Sequence, residues 1–111
     1  MICRYRYHAL VRRVVDGDTV RADIDLGLGV WRHNVALRLR GIDAPELRGP
    51  ERRQGLAAKQ WLARLIGDKK VIVETHRDAQ GKYGRWLATI WLDDSNVNER
   101  LIAEGHARRT A

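Results

Sequence analysis

Thr19-Val20-Arg21-Ala22-Asp23-Ile24-Asp25-Leu26, then Gly27-Leu28-Gly29, then Val35-Ala36-Leu37-Arg38-Leu39-Arg40, carries the pattern that decides the fold. Val20, Ala22, Ile24 and Leu26 recur with a period of two, and Arg21, Asp23 and Asp25 fill the other face. That alternation marks a half-buried strand. The glycine pair supplies a turn. Val35, Leu37 and Leu39 then resume the core face, with Arg38 and Arg40 opposite.

Outward from this pair the same reasoning extends. Tyr5, Tyr7, Ala9 and Val11 predict a first strand over 5–15, with the phase breaking at Arg12-Arg13, the mark of a bulge. Ala58, Trp61, Leu62 and Leu65 stand at helical spacing and predict a helix over 55–66, closed by Gly67. Val71-Ile72-Val73 and Trp86 to Leu92 read as two further strands. Asn96 with Glu99 resembles a capping box opening a second helix, which Gly105 closes. Five short strands with a helix after the third predict a small closed barrel of the OB type, mainly β with about two helices (α+β), because closure removes both sheet edges.

The chain has 111 residues, which predicts a single domain over 1–111. No apolar run approaches the length of a membrane helix, and the N-terminus has no signal-like apolar core, so a cytoplasmic chain is expected. Cys3 is the one cysteine, which excludes an internal disulfide and a cysteine-based zinc site. Lys and Arg number 21 against 14 Asp and Glu, a net charge of +7, and 17 of the 21 are Arg. Arg grips phosphate with a planar two-pronged donor, so the balance points towards a polyanion such as DNA or RNA.

Three polar segments could carry chemistry. Asp16-Gly17-Asp18-Thr19 is either a hairpin turn or a turn that presents Asp18 at a strand start as a metal ligand. In Arg38-Leu39-Arg40-Gly41-Ile42-Asp43-Ala44-Pro45-Glu46, two strand arginines run into a loop with two carboxylates. That is either a solvated strand edge or a metal-assisted phosphoryl site, in which carboxylates hold a hard cation and Arg neutralises phosphate. Asp78 to Arg85 is either a surface turn or the carrier of a second phosphate-binding Arg. Of the tryptophans, Trp61 and Trp91 read as core residues, and the four histidines show no metal-ligand spacing.

Taken together, these residues resemble the staphylococcal (thermonuclease-like) nuclease family. The match runs in order through Val15 to Val20, Leu37 to Glu46, Lys82-Tyr83-Gly84-Arg85-Trp86-Leu87-Ala88 and Val97 to Ala107, nearly the whole chain. The resemblance implies an OB barrel and calcium-dependent hydrolysis of DNA and RNA phosphodiesters, with 3′-phosphate products. It implies Asp18 and Asp43 as Ca²⁺ ligands, with the main-chain carbonyl of Ala44 as a third. Glu46 would activate or orient the attacking water, and Arg38 and Arg85 would grip the phosphate. Tyr83 matches a tyrosine near the nucleotide phosphate, and Arg40 joins it as a substrate-binding residue on the Arg-rich strand face. The alternative is an OB barrel that binds nucleic acid or protein without catalysis.

Longer family members continue past the position of Ala111 into a third helix. The apolar surface around Leu101 and Ile102 is therefore expected to lack cover from its own chain, and a homodimer is expected to supply it. The rival is a monomer whose Arg108-Arg109 end folds back.

Overall fold

The computed structural model describes residues 5–76 and 86–110. Strands β1 (Tyr5–Asp16), β2 (Thr19–Asp25) and β3 (Trp31–Leu39) form an antiparallel meander, followed by the short β4 (Ile42–Asp43). A 3₁₀ turn (Gly49–Glu51) leads into α1 (Arg52–Ile66), then β5 (Lys70–His76), β6 (Trp86–Leu92), β7 (Ser95–Asn96), α2 (Val97–Ala103) and β8 (Arg108–Arg109). The sheet order is β3-β2-β1-β5-β6-β7. A parallel pairing of Leu37–Leu39 with Trp86–Ala88 joins β3 to β6 and closes a five-stranded barrel. The OB-type α+β architecture expected from the alternation is the one observed.

Val20, Ala22, Val35, Leu37, Leu39, Val73, Ala88 and Ile90 fill the barrel, all buried. Leu62 and Ile66 from α1 and Leu101 from α2 join the same core at full burial. Each such Val, Leu or Ile side chain stabilises the fold by about 1.5–3 kcal/mol. β1 is bent where expected: its register with β2 shifts between Val11 and Arg13. Helix α1 starts earlier than its apolar spacing indicates, because Arg52, Arg53 and Gln54 are exposed and add nothing to the pattern. Gly67 follows that helix at φ −59°, and the left-handed residue that turns the chain is Asp68, at φ 57°. Gly67 is nonetheless confined, since a Cβ there would lie 2.4 Å from the Ala63 carbonyl oxygen. Asn96 caps α2 by accepting from the Glu99 N–H at 3.1 Å, and Gly105 leaves it at φ 78°.

Several expectations need correction. Leu26, placed on the core face, is half exposed. Trp91 is only partly buried, whereas Trp61, also partly buried, packs against the core beside His106 at 5.3 Å between ring centres. The surface around Leu101 and Ile102 is largely covered by the chain itself: Leu101 is fully buried and Ile102 packs against the core. The Arg108-Arg109 end folds back as β8 and pairs antiparallel with β4. Among the described residues the exposed large apolar side chains lie elsewhere, at Tyr5, Leu26, Leu28, Val30, Trp31 and Trp86.

Asp23, expected on the solvent face, is also buried. The β2–β3 register shifts between Ala22 and Ile24, and Asp23 lies at this irregularity. There it accepts from Arg12 Nε at 2.7 Å and from the Asn34 N–H at 3.0 Å, with His33 Nδ1 at 3.2 Å. The Arg12 contact first, then the Asn34 N–H, lower its pKa from 3.8 to about 2 against the opposing effect of burial. A depressed carboxylate stabilises the fold fully above its unfolded pKa of 3.8, and that contribution is lost as pH falls towards about 2. Circular dichroism at stepped pH is expected to show a shallower loss of stability between these values in Asp23→Asn than in the parent chain. Identical acid limbs would show that the Asp23 contacts do not contribute.

Candidate phosphoryl-transfer site

The β1–β2 turn, the end of β3 and the loop after β4 meet at one place. Asp18 leaves the turn almost fully buried, with its N–H donating to Asp16 Oδ1 at 3.0 Å. Its carbonyl accepts from the Leu39 N–H at 2.8 Å, which locks the turn to the end of β3. The Asp18 carboxylate takes the Ala44 N–H on Oδ2 at 2.9 Å and the Thr19 hydroxyl on Oδ1 at 3.1 Å. Arg38 Nη1 reaches the same Oδ2 at 3.0 Å, and Nη2 lies 3.5 Å from Asp43 Oδ1. One guanidinium therefore joins both carboxylates. It is held further by the Ile42 carbonyl, which accepts from Nη1 at 3.1 Å.

Burial pushes the Asp18 carboxyl up from 3.8 to about 6, and its hydrogen bond with Asp16 adds to that. The Ala44 N–H and Arg38 pull the other way without restoring the ordinary value. An acid raised by desolvation is one whose ionised form a nearby cation relieves. The donor set around it is all oxygen, which suits a hard divalent ion. Among the described residues no group of three or more His, Cys, Asp or Glu is arranged to hold a metal, so such an ion would rest on Asp18, Asp43, main-chain oxygen and water. On these terms the donor set would suit a hard divalent cation.

The other expected residues divide. Ala44 is buried beside Asp18, and Asp43 is partly exposed at the rim. Glu46 is exposed on the following loop, its N–H donating to Glu51 Oε2 at 3.1 Å. Arg40 is exposed and points into a neighbouring open cleft of about 590 Å³, shared with Arg38, Leu87, Thr89, Asn96 and Arg109. Tyr83 and Arg85 lie outside the described residues.

Several supporting residues have no obvious signal in the sequence. Asn98 is buried and donates to the Arg40 carbonyl at 2.9 Å and the Ala88 carbonyl at 3.0 Å, while accepting from the Ile90 N–H at 3.1 Å. It ties the exit of β3 to β6. Gly17 and Gly55 mark where α1 meets the site. A Cβ at Gly17 would stand 2.8 Å from both Ala44 Cβ and Ala58 Cβ. A Cβ at Gly55 would stand 2.2 Å from the Glu46 carbonyl oxygen. The helix thus seats the loop that carries Glu46, and no larger residue fits between them.

The closed OB barrel sets one Arg between two carboxylates at the end of β3. Residues 36–111 match the family described as staphylococcal nuclease homologue, and the chain belongs to that family. It is 37% identical over 102 residues to a thermonuclease of Staphylococcus intermedius, an alignment covering 89% of this chain and 57% of that protein. Against a thermonuclease of Staphylococcus hyicus it is 37% identical, covering 88% and 56%. With the SPbeta prophage-derived endonuclease YokF of Bacillus subtilis it shares 32% identity, covering 86% and 32%. The chain spans a little over half the length of the two thermonucleases.

The close approach at Gly55 makes a stability prediction with a definite sign. Gly→Ala inside a helix is ordinarily worth about 1 kcal/mol in favour of Ala. Here the clash is with main chain and no rotamer relieves it, so Gly55→Ala is expected to lower stability by about 1–3 kcal/mol. Urea unfolding measures this, and a gain in stability would show that α1 does not bear on the Glu46 loop.

Proposed function

We propose that the chain is a Ca²⁺-dependent nuclease that hydrolyses DNA and RNA phosphodiesters with little sequence preference and leaves 3′-phosphates. The observation that carries this reading is the single Arg38 guanidinium joining Asp18 and Asp43. Two carboxylates alone repel a phosphate, and arginines alone hold no cation. The site needs both, and the +7 chain draws a polyanion to it.

Asp18, Asp43 and the Ala44 carbonyl are the residues that would hold the ion. When bound, Ca²⁺ supplies a Lewis acid that offsets charge on a phosphoryl oxygen. Arg38 donates to the phosphoryl oxygens, whose negative charge grows as water adds to phosphorus. Arg85 takes the same role on the family resemblance. Glu46 accepts the proton of the attacking water, a role that its exposed position on a loop fixed to α1 allows. The new bond is from the water oxygen to phosphorus. The bond that breaks is to the 5′-oxygen, which takes a proton from solvent water as it leaves, so the phosphate stays on the 3′ side. Arg40 and Tyr83 bind the flanking strand.

Single-stranded DNA digestion with Ca²⁺ and with EGTA tests the reading. Cleavage is expected with Ca²⁺ and none after metal removal. Undiminished cleavage in EGTA would refute the metal requirement, and binding without cleavage under either condition would make the barrel a binding module. Arg38→Ala is expected to cut turnover by roughly 10²–10³, the effect of losing one preorganised donor to the transition state. Glu46→Gln is expected to lose turnover while Ca²⁺ still raises its melting temperature. Near-normal turnover in either variant removes that residue from the mechanism.

A further inference from the structure

The fold brings a second arginine to Asp43 from a segment distant in sequence. β8 pairs antiparallel with β4, Asp43 opposite Arg108 and Ile42 opposite Arg109, and the Thr110 N–H donates to the Gly41 carbonyl at 2.9 Å. This pairing sets Arg108 Nη2 3.3 Å from Asp43 Oδ2, while Arg38 stands at Oδ1. Each oxygen of the Asp43 carboxylate thus faces its own guanidinium.

The two β8 arginines differ in their freedom. Arg109 is held by both prongs to the Glu99 carboxylate, at 3.0 and 2.8 Å, and Glu99 keeps it in place. Arg108 makes one contact at 3.3 Å, and its side chain is 80% exposed. A single solvent-exposed ion pair of this kind is weak and readily exchanged. Asp18 and Asp43 balance Arg38 and Arg108 in charge. A divalent cation on the two carboxylates leaves that set of groups with two positive charges in excess, enough for the scissile phosphate and one neighbour.

We propose that Arg108 is a further phosphate-binding residue of the site, which gives up Asp43 when that carboxylate takes a cation and turns to the substrate phosphate next to the one cleaved. The proposal rests on the reading of Asp43 as a cation ligand. It assigns substrate recognition, not chemistry, to Arg108.

Arg108→Ala, Arg108→Lys and, as a charge control on the far side of α1's last turn, Arg64→Ala are compared with the parent chain. Thermal unfolding first establishes that each variant folds. Steady-state cleavage of single-stranded DNA in Ca²⁺ is expected to show KM raised by about 3–10-fold in Arg108→Ala, with kcat changed by less than about 2-fold. Arg108→Lys is expected to recover part of the loss, and Arg64→Ala to show none. In a Glu46→Gln background, fluorescence anisotropy of a labelled oligonucleotide in Ca²⁺ is expected to show a salt slope shallower by about 0.7, one phosphate contact, when Arg108 is removed. In EGTA, where Arg108 stays on Asp43, the two proteins are expected to bind alike. Ca²⁺ titrations followed by melting temperature are expected to reach half-effect at lower Ca²⁺ in Arg108→Ala, because a competitor for Asp43 is gone.

Unchanged KM and salt slope, or an equal effect from Arg64→Ala, would overturn the proposal. A parent chain that cleaves nothing would refute the nuclease reading, while the anisotropy and Ca²⁺ arms would still decide on Arg108. Ca²⁺ dependence identical in the parent and Arg108→Ala would show that Arg108 and the cation do not share Asp43.

Discussion

The parallel pairing of Leu37–Leu39 with Trp86–Ala88 holds the molecule in its working shape. It is three residues long, and it turns a meander with two open edges into a closed barrel. Arg38 sits in the middle of it. Its neighbours Leu37 and Leu39 are buried inside, so alternation alone drives the guanidinium outward. The buried leucines position the arginine, and the Asp18 carboxylate and Ile42 carbonyl hold its guanidinium beside the turn. Asn98 reinforces the closure from behind by satisfying Ala88 and Ile90 on β6 and Arg40 just past β3. A buried amide with all three bonds made stabilises this arrangement, and the same amide with one bond lost would oppose it.

The rest of the site is arranged around small residues. Gly17, Ala44, Gly55 and Ala58 stand where the turn, the loop and α1 converge, and van der Waals contact fixes their spacing. Hydrogen bonds then define the rotations: Asp16 sets the turn, Asp18 collects the Ala44 N–H, and Glu51 collects that of Glu46. Precision comes from main chain packed on main chain, which flexes less than side chains packed on each other.

Much of this was legible in the sequence where one physical period governs. The alternation of Val20, Ala22 and Ile24 and of Val35, Leu37 and Leu39 reports burial directly, and the bulge at Arg12-Arg13 shows as a break in phase. Asp23 was misread because a bulge between paired strands is invisible to one strand's own pattern. Leu26 belongs to the hairpin's exposed tip, where the period continues after the core has ended. The start of α1 was missed since a solvent-facing first turn has no apolar signal. The acids and arginines of the site stood out by composition and order. Gly55, Asn98 and the place of Arg108 did not, because each acts through a contact with a segment distant in sequence: Gly55 nine residues from Glu46, Arg108 across from Asp43.

The return of β8 to β4 also gives the molecule an order of assembly. A ribosome releases the chain from its N-terminus, so the meander, α1 and both strands of the closing pair are made before Asn98 and Arg108 exist. Until residue 98 has emerged the Arg40 carbonyl lacks its amide, and until residue 108 has emerged Asp43 lacks its strand partner. The loop carrying the acids is therefore framed late, although its own residues are synthesised before those that frame it. Framing of the acid loop thus waits on residues 98 and 108, whose contacts with Arg40 and Asp43 cross most of the described fold.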